Sequence, residues 1–145
     1  MIYCDTSVLV SAISDETNSK RTRVWFRKTE AEGLVASDWA YLEAVSALGL
    51  KKRSGALDDA GWQTAHALLQ SLRTGSIAAC AVLRTDYEAA EVLCRSSNAT
   101  VRGADALHIA VCSRIGARFV TLDVQQERAA IGFGLETISL EPGPA

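Results

Sequence analysis

The chain alternates short, mainly apolar runs with longer stretches in which apolar residues recur every three or four positions. Runs of the first kind are too short for helices and suit strands buried on both faces of a parallel sheet. Residues 1–4, 34–37 ("LVAS"), 118–122 ("RFVTL") and 135–140 ("LETISL") read this way. The helical stretches are 6–14, 19–32 ending at Gly33, a segment capped by Ser37 or Asp38 and running to about Arg53, and one capped by Asp58 and running to Arg73 before Gly75. Further on, "TDYE" (85–88) has the form of a capping box before "AAEVLCRS", and 104–115 reads as a helix ended by Gly116. A polar loop, "SSNATVRG", precedes that helix, a short helix separates the last two strands, and the tail "EPGPA" is expected to fray. The alternation predicts an α/β fold with a mainly parallel central sheet, in a single domain over 1–140 followed by the tail 141–145.

Composition supports that reading and removes several others. With 145 residues, 48% hydrophobic and 22% charged, the chain suits one domain with its own core. Its apolar segments fall well short of the roughly 20 residues that span a bilayer, and no basic stretch precedes the first apolar run. A cytoplasmic protein with no membrane partner is the expectation. Cys4, Cys80, Cys94 and Cys112 are widely spaced among apolar neighbours, which predicts buried free thiols rather than a metal knuckle or redox pair. The net charge of −2 gives no global basic field, so nucleic-acid binding would depend on local patches or on metal.

The acids change the picture. Asp5 follows the first strand and Asp123 the strand at 118–122, at the carboxyl edge where open parallel sheets place their sites. Glu43 in "SDWAYLEAVSAL" and Asp105 in "GADALHIAV" lie in early helical turns among alanines and large apolar residues. Burying a lone carboxylate is costly, so such positions call for donors or a cation. Oxygen-only ligands suit Mg²⁺ or Mn²⁺, with Asp5 a ligand and Ser7 orienting it or holding a water of the ion. Without a cation, like-charge crowding predicts raised pKa values for some of these groups.

The blocks "YCDTSVLVSAI", "LEAVSAL", "GADALHIAV" and "FVTLD" resemble, in order, those of the PIN-domain family, and the compact length resembles its VapC toxins of type II toxin–antitoxin systems. The resemblance runs from residue 2 to 123 and implies a three-layer α/β/α fold. It also implies a Mg²⁺- or Mn²⁺-dependent endoribonuclease that hydrolyses RNA phosphodiesters with a metal-activated water, using Asp5, Glu43, Asp105 and Asp123 as the catalytic and metal-ligating set. Asp123 is commonly a less direct ligand in the family. "DVQQE" follows Asp123 where many relatives have a basic residue. A homodimer is implied as well, together with an antitoxin that packs along helix faces near 8–13 and 39–50 and lays an arginine among the acids.

Other readings stay open on sequence grounds. A non-catalytic RNA-binding or scaffold PIN domain would share the blocks. A receiver or phosphatase-like α/β protein also places Asp at strand ends, but it needs a late lysine, and the last one here is Lys52. Any single Asp at a helix start can be only a cap. His108, one turn after Asp105, reads as a core or rim side chain, and His66 as part of a packing face with Trp62, Ala65, Leu69 and Leu72. In "SKRTRVWFRK", Arg21 and Lys28 flank Trp25 at one-turn spacings. That helix is either an RNA-phosphate and base-stacking face or a solvated helix with Trp25 and Phe26 turned inward. The cations of "LKKR" (50–53) suit the negative end of a helix dipole.

Overall fold

The central strand of the sheet, β1 (Ile2–Cys4), is wholly inaccessible to solvent, as its unbroken apolar sequence requires. Residues 1–96 and 101–140 are described in the computed structural model. Around β1 lie β2 (Leu34–Ser37), β3 (Ile77–Cys80), β4 (Arg118–Val120) and β5 (Thr137–Ile138), in the order β3-β2-β1-β4-β5. Every pairing is parallel, with Tyr3 opposite both Val35 and Phe119. The helices are α1 (Thr6–Ile13), α2 (Ser19–Thr29), α3 (Asp38–Arg53), α4 (Asp59–Thr74), α5 (Arg84–Arg95), α6 (Gly103–Arg114) and α7 (Val124–Gly132).

Strand periodicity divides the core into two layers of contact. Ile2, Cys4, Leu34, Ala36, Ile77 and Val120 face a cluster shared with α1, α3, α4 and Phe26 of α2. Tyr3, Val35 and Phe119 face the other way, against Ile109, Val111 and Cys112 of α6 and Ala130 of α7. Helix α5 closes that side by packing Ala90 against Ala106, Leu107 and Ala110. The result is the expected three-layer α/β/α sandwich. The chain runs outward from β1 through β2 to β3, then returns to the other side of β1 for β4 and β5. That reversal opens a crevice between the carboxyl ends of β1 and β4.

Several sequence expectations need correction. β3 lies in a stretch read as having no strand, because Ala78 and Ala79 are exposed on a sheet edge and carry no bulky apolar signal. The helix expected over 19–32 ends at Thr29, and 30–32 form a 3-10 turn before Gly33, whose φ of +78° suits glycine. The strand expected over 118–122 stops at Val120, and the one expected over 135–140 is confined to Thr137–Ile138. Helix α5 begins at Arg84, so Thr85 is not its cap. Its box is made by Asp86, whose Oδ2 accepts the Leu83 N–H at 2.8 Å. Cys4 and Cys112 are buried thiols, but Cys80 is half-buried and Cys94 exposed. Ser37 rather than Asp38 caps α3, and Asp58 caps α4 as expected. Residues 97–100 of the polar loop and the tail 141–145 lie outside the described residues. Among the described residues, no helix is long and apolar enough to cross a membrane.

Asp86 also locks α5 to α6. It is 1% exposed and receives a two-point bond from Arg114, Nε to Oδ1 at 2.7 Å and Nη2 to Oδ2 at 3.0 Å, while Nη2 reaches the Ala81 carbonyl at 2.8 Å. Removing one partner strands the other's charge and orphans the Leu83 amide. Asp86→Ala is expected to destabilise the fold by roughly 2–4 kcal/mol, read as a lower midpoint of urea unfolding at unchanged slope.

Candidate active site at the switch point of the sheet

Asp5 stands immediately after β1 and is 3% exposed. It is the N-cap of α1: Oδ1 accepts the Val8 N–H at 3.1 Å and the Ser7 hydroxyl at 2.7 Å. Oδ2 accepts from Thr121 Oγ1 at 2.8 Å, across the crevice from the residue that follows β4. Ser7 completes the link by accepting the Leu122 N–H at 2.9 Å. The buried charge is thus held by donors from both sides of the switch point, and Ser7 orients it.

The other acids come to the same place from different elements. Asp5, Glu43, Asp105 and Asp123 all line one open cleft of about 850 Å³, together with Thr6, Ser7, Arg102, His108 and Gln126. Glu43 reaches in from the second turn of α3. Its Oε2 accepts from His108 Nε2 at 2.7 Å and from the Thr6 hydroxyl. Asp105 projects from the first turn of α6 and accepts from Arg102 Nε at 2.9 Å. Asp123 caps α7, its Oδ1 taking the amides of Gln125 at 2.8 Å and Gln126 at 3.2 Å, and its Oδ2 lies 3.8 Å from Arg102 Nη2. For Asp123 the capping role and a place at the cleft hold together.

Electrostatics differ among the four. Burial pushes the Asp5 carboxyl above its ordinary value, and the nearby His108 ring and the bonds from Ser7, Thr121 and Val8 offset part of that rise. Glu43 moves the opposite way. Burial alone would raise it, but bonds from His108 and Thr6 hold it below the ordinary carboxylate range. The raised acid therefore owes its shift to desolvation rather than to the like-charge crowding that the sequence suggested. Thr121 Oγ1 lies 2.8 Å from both Asp5 Oδ2 and Gln126 Oε1.

The donor set is oxygen-only, and Glu43 Oε1 accepts no hydrogen bond among the described residues, so the chemistry fits a hard divalent cation. The positions are not those of a closed coordination sphere: among the described residues, no three His, Cys, Asp or Glu side chains are grouped to hold an ion. Arg102 instead supplies the positive charge beside Asp105 and Asp123.

The RNA face expected on α2 is split. Arg21 and Lys28 are exposed, whereas Trp25 is half-buried against the main apolar cluster and tilted on Phe26 at 5.2 Å. Arg23 turns back to cap the end of α1, bonding the Ala12 and Ser14 carbonyls. Arg21 lines a small hollow that shares Asn18 and Leu122 with the acidic cleft. Residues 8–13 are all buried and offer no helix face to a partner; on α3, Leu42, Val45 and Leu50 are exposed. His108 is buried, as a core residue would be, yet it also bonds Glu43. Tyr3, Thr6, Thr121, Gln126 and Arg102 belong to the site and were not singled out from sequence. The hydroxyls and amide have no spacing that marks them, and only the proximity of Arg102 to Asp105 in the chain could have signalled it.

An open parallel α/β sandwich with a carboxylate-lined crevice at its switch point is the class that fold and site define. The PIN-domain family model matches residues 2–132, and the chain belongs to that family. The fold is similar to that of Mycobacterium tuberculosis VapC20, described as a sarcin–ricin loop cleaving toxin, at 20% identity and a TM-score of 0.70 over 89% of this chain and 95% of that one. It is similar also to FitAcB from Neisseria gonorrhoeae (17%, 0.67, 97% and 98%) and to Rickettsia felis VapBC2 bound to a promoter DNA fragment (14%, 0.70, 95% and 98%). No curated protein sequence matches the chain.

A raised folded-state pKa means that ionised Asp5 costs stability. The cost is absent below the ordinary value of 3.8, sets in above it and is complete once pH exceeds the folded-state value. Asn at this position can still accept from Ser7 and Val8 and can donate to Thr121. Asp5→Asn is therefore expected to raise the thermal midpoint of the metal-free protein at pH 7, with the gain vanishing as pH falls toward 4. Glu43→Gln should do the reverse, since a lowered acid contributes stability above its unfolded value of 4.5 and loses it as pH falls through the folded one. Melting curves of both variants between pH 4 and 8 check the two signs.

Proposed function

We propose that this protein is a divalent-cation-dependent endoribonuclease, the toxin of a toxin–antitoxin pair. The observation that carries the reading is the convergence of Asp5, Glu43, Asp105 and Asp123, from four separate elements of a PIN fold, on one open cleft. Asp5, Glu43 and Asp105, with Asp123 less directly, would hold Mg²⁺ or Mn²⁺, which when bound supplies charge neutralisation at a phosphate and an acidified water. The chain's own residues prepare that task. Thr121, Ser7 and Val8 fix Asp5. His108 and Thr6 keep Glu43 ionised, and the Asp123 cap holds the start of α7 against the cleft. Arg102, most of its side chain exposed at the cleft mouth, is placed to leave the acids for an RNA phosphate, with Lys51 and Arg53 also on the rim.

The partner reading is supported by the resemblance to VapC toxins and by the similarity to VapC20, described as a toxin, and to VapBC2. An antitoxin segment would lie along the exposed α3 residues Leu42, Val45 and Leu50 and lay an arginine fork among the acids. A homodimer and a cytoplasmic location complete the proposal. A non-catalytic PIN scaffold would keep the fold without needing the acids.

Asp5→Asn is expected to cut Mn²⁺-dependent cleavage of an RNA panel by at least two orders of magnitude while the protein stays folded. Cleavage at the wild-type rate would overturn the nuclease reading. A second expectation concerns α2. If Arg21 and Lys28 track phosphates, reversing both charges should weaken RNA binding and lower the salt slope by about 0.7 per lost contact, as for single strands. An unchanged slope would assign that face to solvent.

A further inference from the structure

A continuous line of hydrogen bonds runs from the middle of the sheet to the acidic cleft, through side chains that the nuclease chemistry does not itself use. Ala40 N–H donates to Ser37 Oγ at 3.1 Å, and Ser37 Oγ lies 2.7 Å from Tyr3 Oη. Tyr3 Oη lies 2.8 Å from His108 Nδ1, and His108 Nε2 lies 2.7 Å from Glu43 Oε2, which also takes the Thr6 hydroxyl. Ser37 and Tyr3 are fully buried and His108 is 2% exposed. The ring is wedged edge-on to Tyr3, with centroids 5.9 Å apart at 63°.

For a neutral ring the direction of every proton in this line can be worked out. An ionised carboxylate only accepts, so His108 Nε2 must carry the hydrogen that meets Glu43. In a neutral ring, Nδ1 is then bare and receives the Tyr3 hydroxyl proton. Tyr3 in turn accepts from Ser37, whose own proton is available because its other partner, the Ala40 amide, is a donor. No atom in the line is left with two donors or two acceptors in conflict. The opposite direction would set a bare Nε2 against a carboxylate at 2.7 Å. With both protein bonds on Oε2, Glu43 is left with Oε1 for whatever the cleft holds.

We propose that His108 is a positioning residue for Glu43, its Nε2–H aimed at the carboxylate and its Nδ1 held by Tyr3, so that Glu43 keeps one carboxylate oxygen occupied and the other free for a cation. The proposal rests on the cation-binding reading above. It goes further by assigning a role to a buried ring and a buried phenol that touch neither cation nor RNA. Ligand carboxylates are commonly fixed by such outer partners, whose loss costs about 10- to 100-fold in metal affinity.

The test uses the whole chain with Mn²⁺ as probe and the imidazole nitrogens as reporter. Nitrogen-15 spectra of the wild type are expected to show His108 with a protonated Nε2, and Tyr3→Phe to move the Nδ1 resonance while Nε2 stays protonated. His108→Ala is expected to weaken Mn²⁺ binding by about 10- to 100-fold, and His108→Gln, whose amide can donate from nearly the same point, to restore most of it. A bare Nε2 in the wild type would overturn the proposal, as would a folded His108→Ala protein with wild-type affinity. If His108→Ala fails to fold, the Tyr3→Phe spectrum and the His108→Gln affinity still decide. Glu43→Ala separates the two claims: if it binds Mn²⁺ as the wild type does, the cation-site reading fails, while the nitrogen spectra still judge the relay.

Discussion

Placing the Asp5 carboxylate in the interior is the constraint around which this fold is arranged. A buried charge without donors costs several kcal/mol, so three groups must stand at fixed positions: the amide of Val8, the hydroxyl of Ser7 and the hydroxyl of Thr121. The first two come with the start of α1. The third arrives from the far side of the crevice, and with it β4 and the turn into α7 are tied to β1. One side chain thus caps a helix, joins the two halves of the sheet at the switch point and presents an acid to the cleft.

The remaining acids are held by different means, and the differences follow from surroundings rather than residue type. Glu43, half-buried, is kept ionised by His108 and Thr6. Asp105, no more exposed than Glu43, is bonded by Arg102, and Asp123, nearer solvent, by the α7 amides. Burial raises the Asp5 carboxyl while hydrogen bonding lowers Glu43, so two acids of one cleft are set apart. The difference comes from desolvation acting on one member and hydrogen bonding on the other.

Much of this was legible in the chain. The four acids, their strand-end and early-helix positions, the parallel sheet and the Asp58 cap follow from local periodicity and capping chemistry, which act over a few residues. β3 escaped because an edge strand with exposed Ala78 and Ala79 has no hydrophobic alternation. The α5 cap was misplaced because the box uses the Leu83 backbone and Asp86 rather than Thr85. Burial of Cys80 and Cys94 was overstated because apolar neighbours in sequence do not say which way a side chain turns.

What the sequence alone determined is the inventory: which residues are acids, where the helices and four of the five strands lie, and that the carboxyl edge of the sheet would be polar. Tertiary structure decided the pairings. Thr121 meets Asp5 across 116 positions, His108 meets Glu43 across 65, and Tyr3 meets His108 across 105. Hydrogen bonds act over about 3 Å and have no signature at such separations along the chain. The packing of α6 and α3 on either side of β1 brings a phenol, an imidazole and a carboxylate into line.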